Sequence, residues 1–464
     1  MKTRQKLGFA FAVFALAFTL IAPVPYGLTV AGRNTIGITM FFLILLLTEA
    51  LPIGVSCFLT IGLIPIFQVT DRFAGAVTGF SHPVIFFILA SFGIAGAIMN
   101  VPVTKRVLAW LLKKTGNRVE RILLAMMIAT AGMSFFMSNV PTCAIMMAIA
   151  LEFIDLLPEG SAEKKSIGKT FMIGVPVATM IGGMATPASS SLNLLAIGLL
   201  ERYTGQTISF VHWMAVGIPL VIVLIPFAWF LMCKVYKPAQ VDPGTVKNYI
   251  ENIQVQGKME RKELSVIAIL AAMLVLWIAS SWVPSIEIFT VAMLGCVLFF
   301  LPGIRVLSWG KFVSAINWDI IFISGTILSI ASALVENHVS TWLVDVLYPA
   351  GLALSPHMLV GLAAVIAFLM LLLITSAPAL ITVLAGAFVT IAAANGVPPA
   401  YLIIVLAFCA GNCYLLPLDT VQLITYGKGY YRMTDMGRST IFLQLAMVII
   451  LAFWLPFMGG ILGL

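Results

Sequence analysis

Long apolar runs separated by short polar loops organise this sequence from one end to the other. The runs are continuous, so they read as helices: about 20 helical residues cross a ~30 Å hydrocarbon core, whereas a membrane β-strand alternates apolar and polar positions. Eleven spans follow from the pattern, at 7–24, 35–50, 52–67, 82–101, 168–200, 212–236, 263–283, 286–301, 316–336, 399–426 and 439–460. Two further stretches, 119–157 and 357–394, do not fit as single crossings. The first holds an uncharged run from 122 to 151. At 1.5 Å per residue that run would measure ~45 Å, too long for one pass.

Composition agrees with a lipid solvent. Only 9% of the 464 residues are charged and 61% are hydrophobic, against roughly 25% charged in a soluble domain. The +8 net charge does not imply a nucleic-acid partner, because the cations sit in loops between spans. When both odd stretches enter and leave on one side, all of the 26 Lys and Arg except Arg33, Arg72 and Arg202 face the cytoplasm. That is the bias the positive-inside rule requires; counting either stretch as one crossing would spoil it. The expectation is a multi-pass inner (plasma) membrane protein with a cytoplasmic N-terminus and an external C-terminus. The opening MKTRQKLGFAFAVFALAFTLIAP reads as a retained first helix, since no clear small-x-small cleavage site precedes Pro23 and Pro25.

The two odd stretches are therefore hairpins. Arg118 and Arg121 flank one end of the first and Lys164 and Lys165 lie beyond the other, so it opens to the cytoplasm. His357 and Asn395-Gly-Val-Pro-Pro399 flank the second, which opens outward. The segment 81–112 resembles 316–347. Each leads into a hairpin, with tips MSNVPT (137–142) and ITSAPA (374–379), and then into an interrupted span, GGMATPASSSLN (182–193) and GNCYLLPLDTVQ (411–422). Equal order with opposite orientation is the pattern of an inverted-topology transporter, whose site lies near the midplane at discontinuous helices.

The predicted fold is an all-α polytopic membrane protein of eleven transmembrane helices and two re-entrant hairpins. Residues 1–236 form the first repeat, with scaffold spans 7–101, a surface helix 103–115, the hairpin, the broken span 168–200 and the span 212–236. Residues 237–262 are a cytoplasmic linker. Residues 263–464 form the second repeat, with scaffold spans 263–336, a surface helix 338–349, the hairpin, the broken span 399–426 and the span 439–460.

Backbone groups freed at membrane depth are costly unless they line a wet, protein-walled cavity. Ser and Asn at such a tip bind ions through side-chain oxygens and freed carbonyls, and helix N-termini beyond it favour an anion. The competing reading of Ser138–Asn139–Pro141–Thr142 is a proline kink whose polar groups bond a neighbouring helix. Asp419 has two readings as well: a ligand or proton carrier for the coupling ion, or a helix cap for residues from Thr420 onward. With no Lys or Arg near the midplane, the anion is expected to be held by helix ends, Asn139, bound cations and the hydroxyls of Ser138, Ser189, Ser190, Thr375, Ser376 and Thr420.

At these motifs the sequence resembles the divalent anion:sodium symporter (DASS) family, which carries Krebs-cycle di- and tricarboxylates and, in some branches, sulfate. The resemblance covers nearly the whole chain. Family hairpin tips carry Ser-Asn-Thr; here they read Ser138-Asn139-Val140 and Thr375-Ser376-Ala377. The resemblance implies a substrate site at Asn139, Val140, Ser189, Ser190, Ser376, Ala377 and Thr420. It implies coupling-ion sites at Ser138, Asn139, Gly183, Asn193, Thr375, Ser376, Gly411 and Asp419. It further implies a homodimer working by an elevator motion, with a small di- or tricarboxylate or related divalent anion of the dicarboxylate class as cargo. Coupling to a sodium gradient, to a proton gradient or to anion exchange stays open, with sodium as the possible coupling ion.

Other classes find less support. A membrane enzyme needs a nucleophile–base pair or metal triad, and the sequence offers neither. Its four histidines are scattered, and Cys409 and Cys413, one helical turn apart, have no third ligand nearby. No P-loop pattern supports ATP-driven pumping, and no cofactor is expected. The alternatives that remain open are a cation/proton exchanger or arsenite-type permease, with Asp419 serving the cation, and an anion channel.

Overall fold

The computed structural model describes residues 3–115, 118–253, 258–283, 285–339, 342, 354–374, 376–417 and 419–463. Among them every regular element is helical and none is a strand. Among the described residues six helices are long and apolar enough to cross a membrane: Val30–Thr48, Phe210–Tyr236, Arg261–Ala279, Trp318–Glu336, Ala377–Ala394 and Met433–Leu462. Large apolar side chains such as Phe14, Phe18, Phe453 and Phe457 lie on the outer surface, where lipid rather than water is their natural solvent.

The first half runs through α1 (Thr3–Ile21), α2 (Val30–Thr48), α3 (Ile53–Ile66), α4 (Phe73–Ala76), α5 (Pro83–Met99) and α6 (Val103–Thr115). The chain bends by 62° between α5 and α6. The turn at 78–81 lies against the opposite half: a side chain at Gly79 would come within 2.2 Å of the Gly325 carbonyl. Instead, the Gly79 N–H donates to Ser329 Oγ at 2.9 Å.

Next come two helices that fold back on each other, α7 (Val119–Ser134) and α8 (Asn139–Ile154). Each has 16 residues, a rise of about 24 Å, short of the ~30 Å core. The chain breaks where Ser138 takes extended angles. Pro141 is tolerated because it sits in the first turn of α8, where N–H groups have no intrahelical acceptor. Then follow α9 (Ala162–Gly182), a 3₁₀ turn (Pro187–Ser189), α10 (Ser191–Thr204) and α11 (Phe210–Tyr236).

The polar segment between the halves carries α12 (Pro243–Ile253). Its Val246, Tyr249 and Ile253 are buried, and the Tyr249 hydroxyl donates to the Ile149 carbonyl of α8 at 3.1 Å. The second half comprises α13 (Arg261–Ala279), α14 (Ile288–Leu298), α15 (Trp309–Ala315), α16 (Trp318–Glu336), the paired α17 (Pro356–Leu373) and α18 (Ala377–Ala394), α19 (Pro399–Ala410), α20 (Thr420–Tyr426) and α21 (Met433–Leu462). Most of the expected surface helix 338–349 lies outside the described residues.

The pairings between the halves follow a reciprocal rule. The α7–α8 pair packs on α9, and α8 also packs on α20, the second part of the other half's interrupted helix. The α17–α18 pair packs on α19, and α18 also packs on α10, again the second part of the opposite interrupted helix.

Candidate functional site

The interruption after α9 is a preformed loop. Asn193 Nδ2 donates to the carbonyls of Gly183 and Thr186 at 2.8 and 3.0 Å. Ser189 Oγ lies 2.6 Å from the Gly183 carbonyl, and Trp213 Nε1 on α11 donates to the Met184 carbonyl at 3.0 Å. Ser190 caps α10 through the Leu192 N–H. Ser189, Ser190 and Asn193 are all buried. Backbone carbonyls released from helix geometry have thus found side-chain donors, the condition for keeping unwound chain inside a membrane protein.

The tip between α7 and α8 is fastened to this loop. Thr186 Oγ1 donates to the Phe135 carbonyl at 2.9 Å. Gly182 and Gly183 are glycines for a steric reason: a side chain at 182 would fall 2.6 Å from the Ala131 carbonyl, and one at 183 would fall 2.5 Å from Asn139 Oδ1. Two oxygens are left over at this contact. Asn139 Oδ1 and Ser134 Oγ are buried, and among the described residues neither has a hydrogen-bond partner. A buried unsatisfied acceptor costs about 1–3 kcal/mol, so these atoms mark a place where a polar ligand would be stabilising.

The second interruption is held differently. Asp419 caps α20, with its Oδ1 accepting from the Val421 N–H at 2.9 Å. Gln422 Nε2 donates to the Cys413 carbonyl. Thr440 and Gln444, one turn apart on α21, brace the rest: Thr440 Oγ1 donates to the Tyr414 carbonyl at 2.6 Å and Gln444 Oε1 accepts from the Tyr414 N–H at 3.1 Å. Tyr414 OH donates to Asn412 Oδ1 at 2.5 Å.

Helix α8 links the two interruptions. Asn139 lies against Gly183 of the first, and Cys143, one turn further along the same face, donates its thiol to the Val421 carbonyl beyond the second at 3.3 Å. Leu192 Cδ1 lies 3.8 Å from where a side chain on Gly411 would start, so the interruptions are themselves neighbours. Of the residues singled out in the sequence, Ser138, Asn139 and Val140 at the start of α8 thus lie by the loop that holds Gly183, Ser189, Ser190 and Asn193. Gly411 lies by Leu192 next to that loop, and Asp419 and Thr420 stand at the start of the helix that Cys143 touches.

Ser376 and Ala377 begin α18, where the Ser376 carbonyl accepts from the Leu380 N–H. They enter the neighbourhood only through the packing of α18 on α10 and α19. Thr375 lies outside the described residues. The pattern missed Ser134, Thr186, Gln422, Thr440 and Gln444. Its available signal was polar side chains one helical turn apart in otherwise apolar runs, as at Ser134 and Ser138 or at Thr440 and Gln444.

Residues 3–463 match the family described as the sodium:sulfate symporter transmembrane region. The sodium-dependent dicarboxylate transporter SdcS of Staphylococcus saprophyticus is 27% identical over 98% of this chain and 92% of its own length. A membrane protein of Cupriavidus necator is 26% identical over 78% of this chain and 73% of its own. Among solved structures, the YdaH transporter of Alcanivorax borkumensis superposes with a TM-score of 0.60 at 15% identity, covering 99% of this chain and 98% of that one. MtrF of Neisseria gonorrhoeae does so with a TM-score of 0.60 at 13% identity, covering 99% and 94%. These two similarities establish a shared fold. With a family match spanning nearly its entire length, the chain belongs to the divalent anion:sodium symporter family and is a membrane transporter rather than an enzyme.

Proposed function

We propose that this transporter carries a small di- or tricarboxylate, or a related divalent anion, across the inner membrane by symport with sodium. The observation that carries this reading is the pair of buried, unpartnered oxygens at Ser134 and Asn139, set against Gly182 and Gly183. Hard cations take oxygen ligands, and discontinuous helices supply them in transporters. The name of the Staphylococcus saprophyticus relative supports sodium and a dicarboxylate. A cation held at Asn139 sits beside the N-termini of α8 and α10, whose partial positive charge favours a carboxylate. Cation and anion then bind cooperatively, since each offsets the other's charge.

In this reading the α7–α8 and α17–α18 pairs are re-entrant hairpins from opposite faces, related by an inverted repeat of 1–236 and 263–464. Eleven spans and a cytoplasmic N-terminus follow from the charge bias. Short hairpin legs and the reciprocal packing support the arrangement. The hairpins move with the interrupted helices as one body, in an elevator motion within a homodimer. Asp419 contributes to the coupling-ion site in addition to capping α20.

Proteoliposome uptake tests the proposal. Labelled succinate should accumulate when sodium is imposed outside and should stop when potassium replaces it. Uptake indifferent to sodium but driven by a proton gradient would assign the coupling elsewhere. Conductance far above carrier turnover would replace the carrier with a channel.

A further inference from the structure

A polar cavity lies away from the interrupted helices, where the end of α5, the start of α13 and the turn after α14 meet. It encloses about 420 Å³ and is lined by Asn100, Lys262, Phe300, Arg305, Trp309 and Lys311 among others. Three cations thus share one small space. Lys311 Nζ donates to Asn100 Oδ1 at 2.9 Å. Among the described residues no carboxylate is paired with Lys262, Arg305 or Lys311. Like charges lining one cavity repel one another, so an anion joining Lys262, Arg305 and Lys311 would stabilise the cluster.

The walls are built rather than incidental. The turn after α14 closes on itself, with the N–H groups of Val306 and Leu307 both donating to the Phe299 carbonyl at 3.1 and 3.2 Å. Within it Arg305 is held at a φ of 39°, a left-handed conformation that a non-glycine residue adopts at a cost of about 1–2 kcal/mol. Exposed apolar residues stand close in sequence to the lining residues: Leu264 two positions beyond Lys262 on α13, and Leu301 next to Phe300 past the end of α14. Trp309, 70% exposed, stands at the rim. A tryptophan beside cations at the end of lipid-facing helices is the composition of a membrane interface.

We propose that this cavity binds the headgroup phosphate of an anionic phospholipid, with Lys262, Arg305 and Lys311 as its ligands and the acyl chains lying along α13 and α14. Arg305 offers paired N–H groups to two phosphate oxygens, and the lysines act as point charges. Basic pockets between membrane helices select anionic headgroups in this way. A free phosphate satisfies the cations equally but leaves the apolar flank unused, which is the ground for choosing the lipid. The inference is independent of which anion the carrier transports.

Purified, delipidated protein is titrated with phosphatidylglycerol, with phosphatidylcholine and with inorganic phosphate, while melting temperature and lipids retained in native mass spectrometry are recorded. Phosphatidylglycerol should raise the melting temperature well beyond the other two and remain bound. Combined Lys262→Gln, Arg305→Gln and Lys311→Gln replacement should weaken that lipid by about a hundredfold, since each cation near an anionic surface contributes roughly a factor of five. The pair Lys113→Gln and Lys114→Gln, on α6, should leave it unchanged. Equal responses of the wild type to both lipids would overturn the proposal without any variant. So would a response to inorganic phosphate as large as to phosphatidylglycerol, or equal losses in both sets of replacements.

Discussion

The thiol of Cys143 donates to the carbonyl of Val421 at 3.3 Å across 278 positions of sequence. That bond places α8 against α20, in the other half of the chain. Four residues earlier on the same face, Asn139 presses on Gly183 of its own half. One helix face therefore touches both interruptions, and the tests below follow from that geometry.

Asn139→Ala removes a side-chain oxygen that has no hydrogen bond to lose among the described residues. The fold should survive, with melting temperature near that of the wild type. The sodium concentration giving half-maximal dicarboxylate uptake should rise at least tenfold, the consequence of losing about 1.4 kcal/mol of ion binding. An unchanged sodium requirement would take Asn139 out of the ion site.

Gly183→Ala drives a methyl group to 2.5 Å from Asn139 Oδ1. Overpacking of this kind costs about 1–3 kcal/mol, so both melting temperature and uptake should fall. Combining it with Asn139→Ala should restore the melting temperature but not the uptake, because the clash is gone while the ligand stays absent. Additive losses in the double variant would show that the two residues do not meet.

Asp419→Asn separates charge from capping. Asparagine caps helices about as well as aspartate, so the bond to the Val421 N–H and the stability of α20 should persist. Gradient-driven uptake should be abolished while binding of the cargo remains measurable. Uptake at wild-type rate would reduce Asp419 to a helix cap.

The buried ion pair between Arg106 on α6 and Glu263 on α13, with side chains 17% and 2% exposed, ties α6 to the second half of the chain. Arg106→Ala leaves the carboxylate buried without this partner, a change costing roughly 3–5 kcal/mol. Arg106→Met with Glu263→Leu should cost much less, since neither charge remains. Thermal unfolding in one detergent compares the three proteins; equal losses in both variants would mean the pair matters by packing alone.

Gln422→Ala should destabilise by about 1–3 kcal/mol, because the buried Cys413 carbonyl then has no donor. The loss should appear as a lowered melting temperature. A variant as stable as the wild type would mean that another group or a water replaces the amide.

Much of the helical layout was legible from periodicity and punctuation. Pro141 and Pro187 stand within two residues of helix or turn starts, and Ala377 begins α18 just before Pro378, because proline fits the first turn and breaks what precedes it. The stretch 237–262 was less legible. Its polarity reads as a linker, yet Tyr249 is buried against Phe153 and its hydroxyl bonds α8; an amphipathic turn does not reveal which surface it will meet.

The sequence by itself determined that the chain lives in lipid, where its helices break and which polar residues lie at those breaks. Apolar length and backbone stereochemistry are local properties, carried by each stretch alone. Only the tertiary structure decided that Asn139 would meet Gly183, that Cys143 would meet Val421, and that Thr440 and Gln444 would brace a turn some thirty residues away. Those contacts depend on how whole helices pack, and unsatisfied polar groups within a membrane chain accept whichever partner the packing brings.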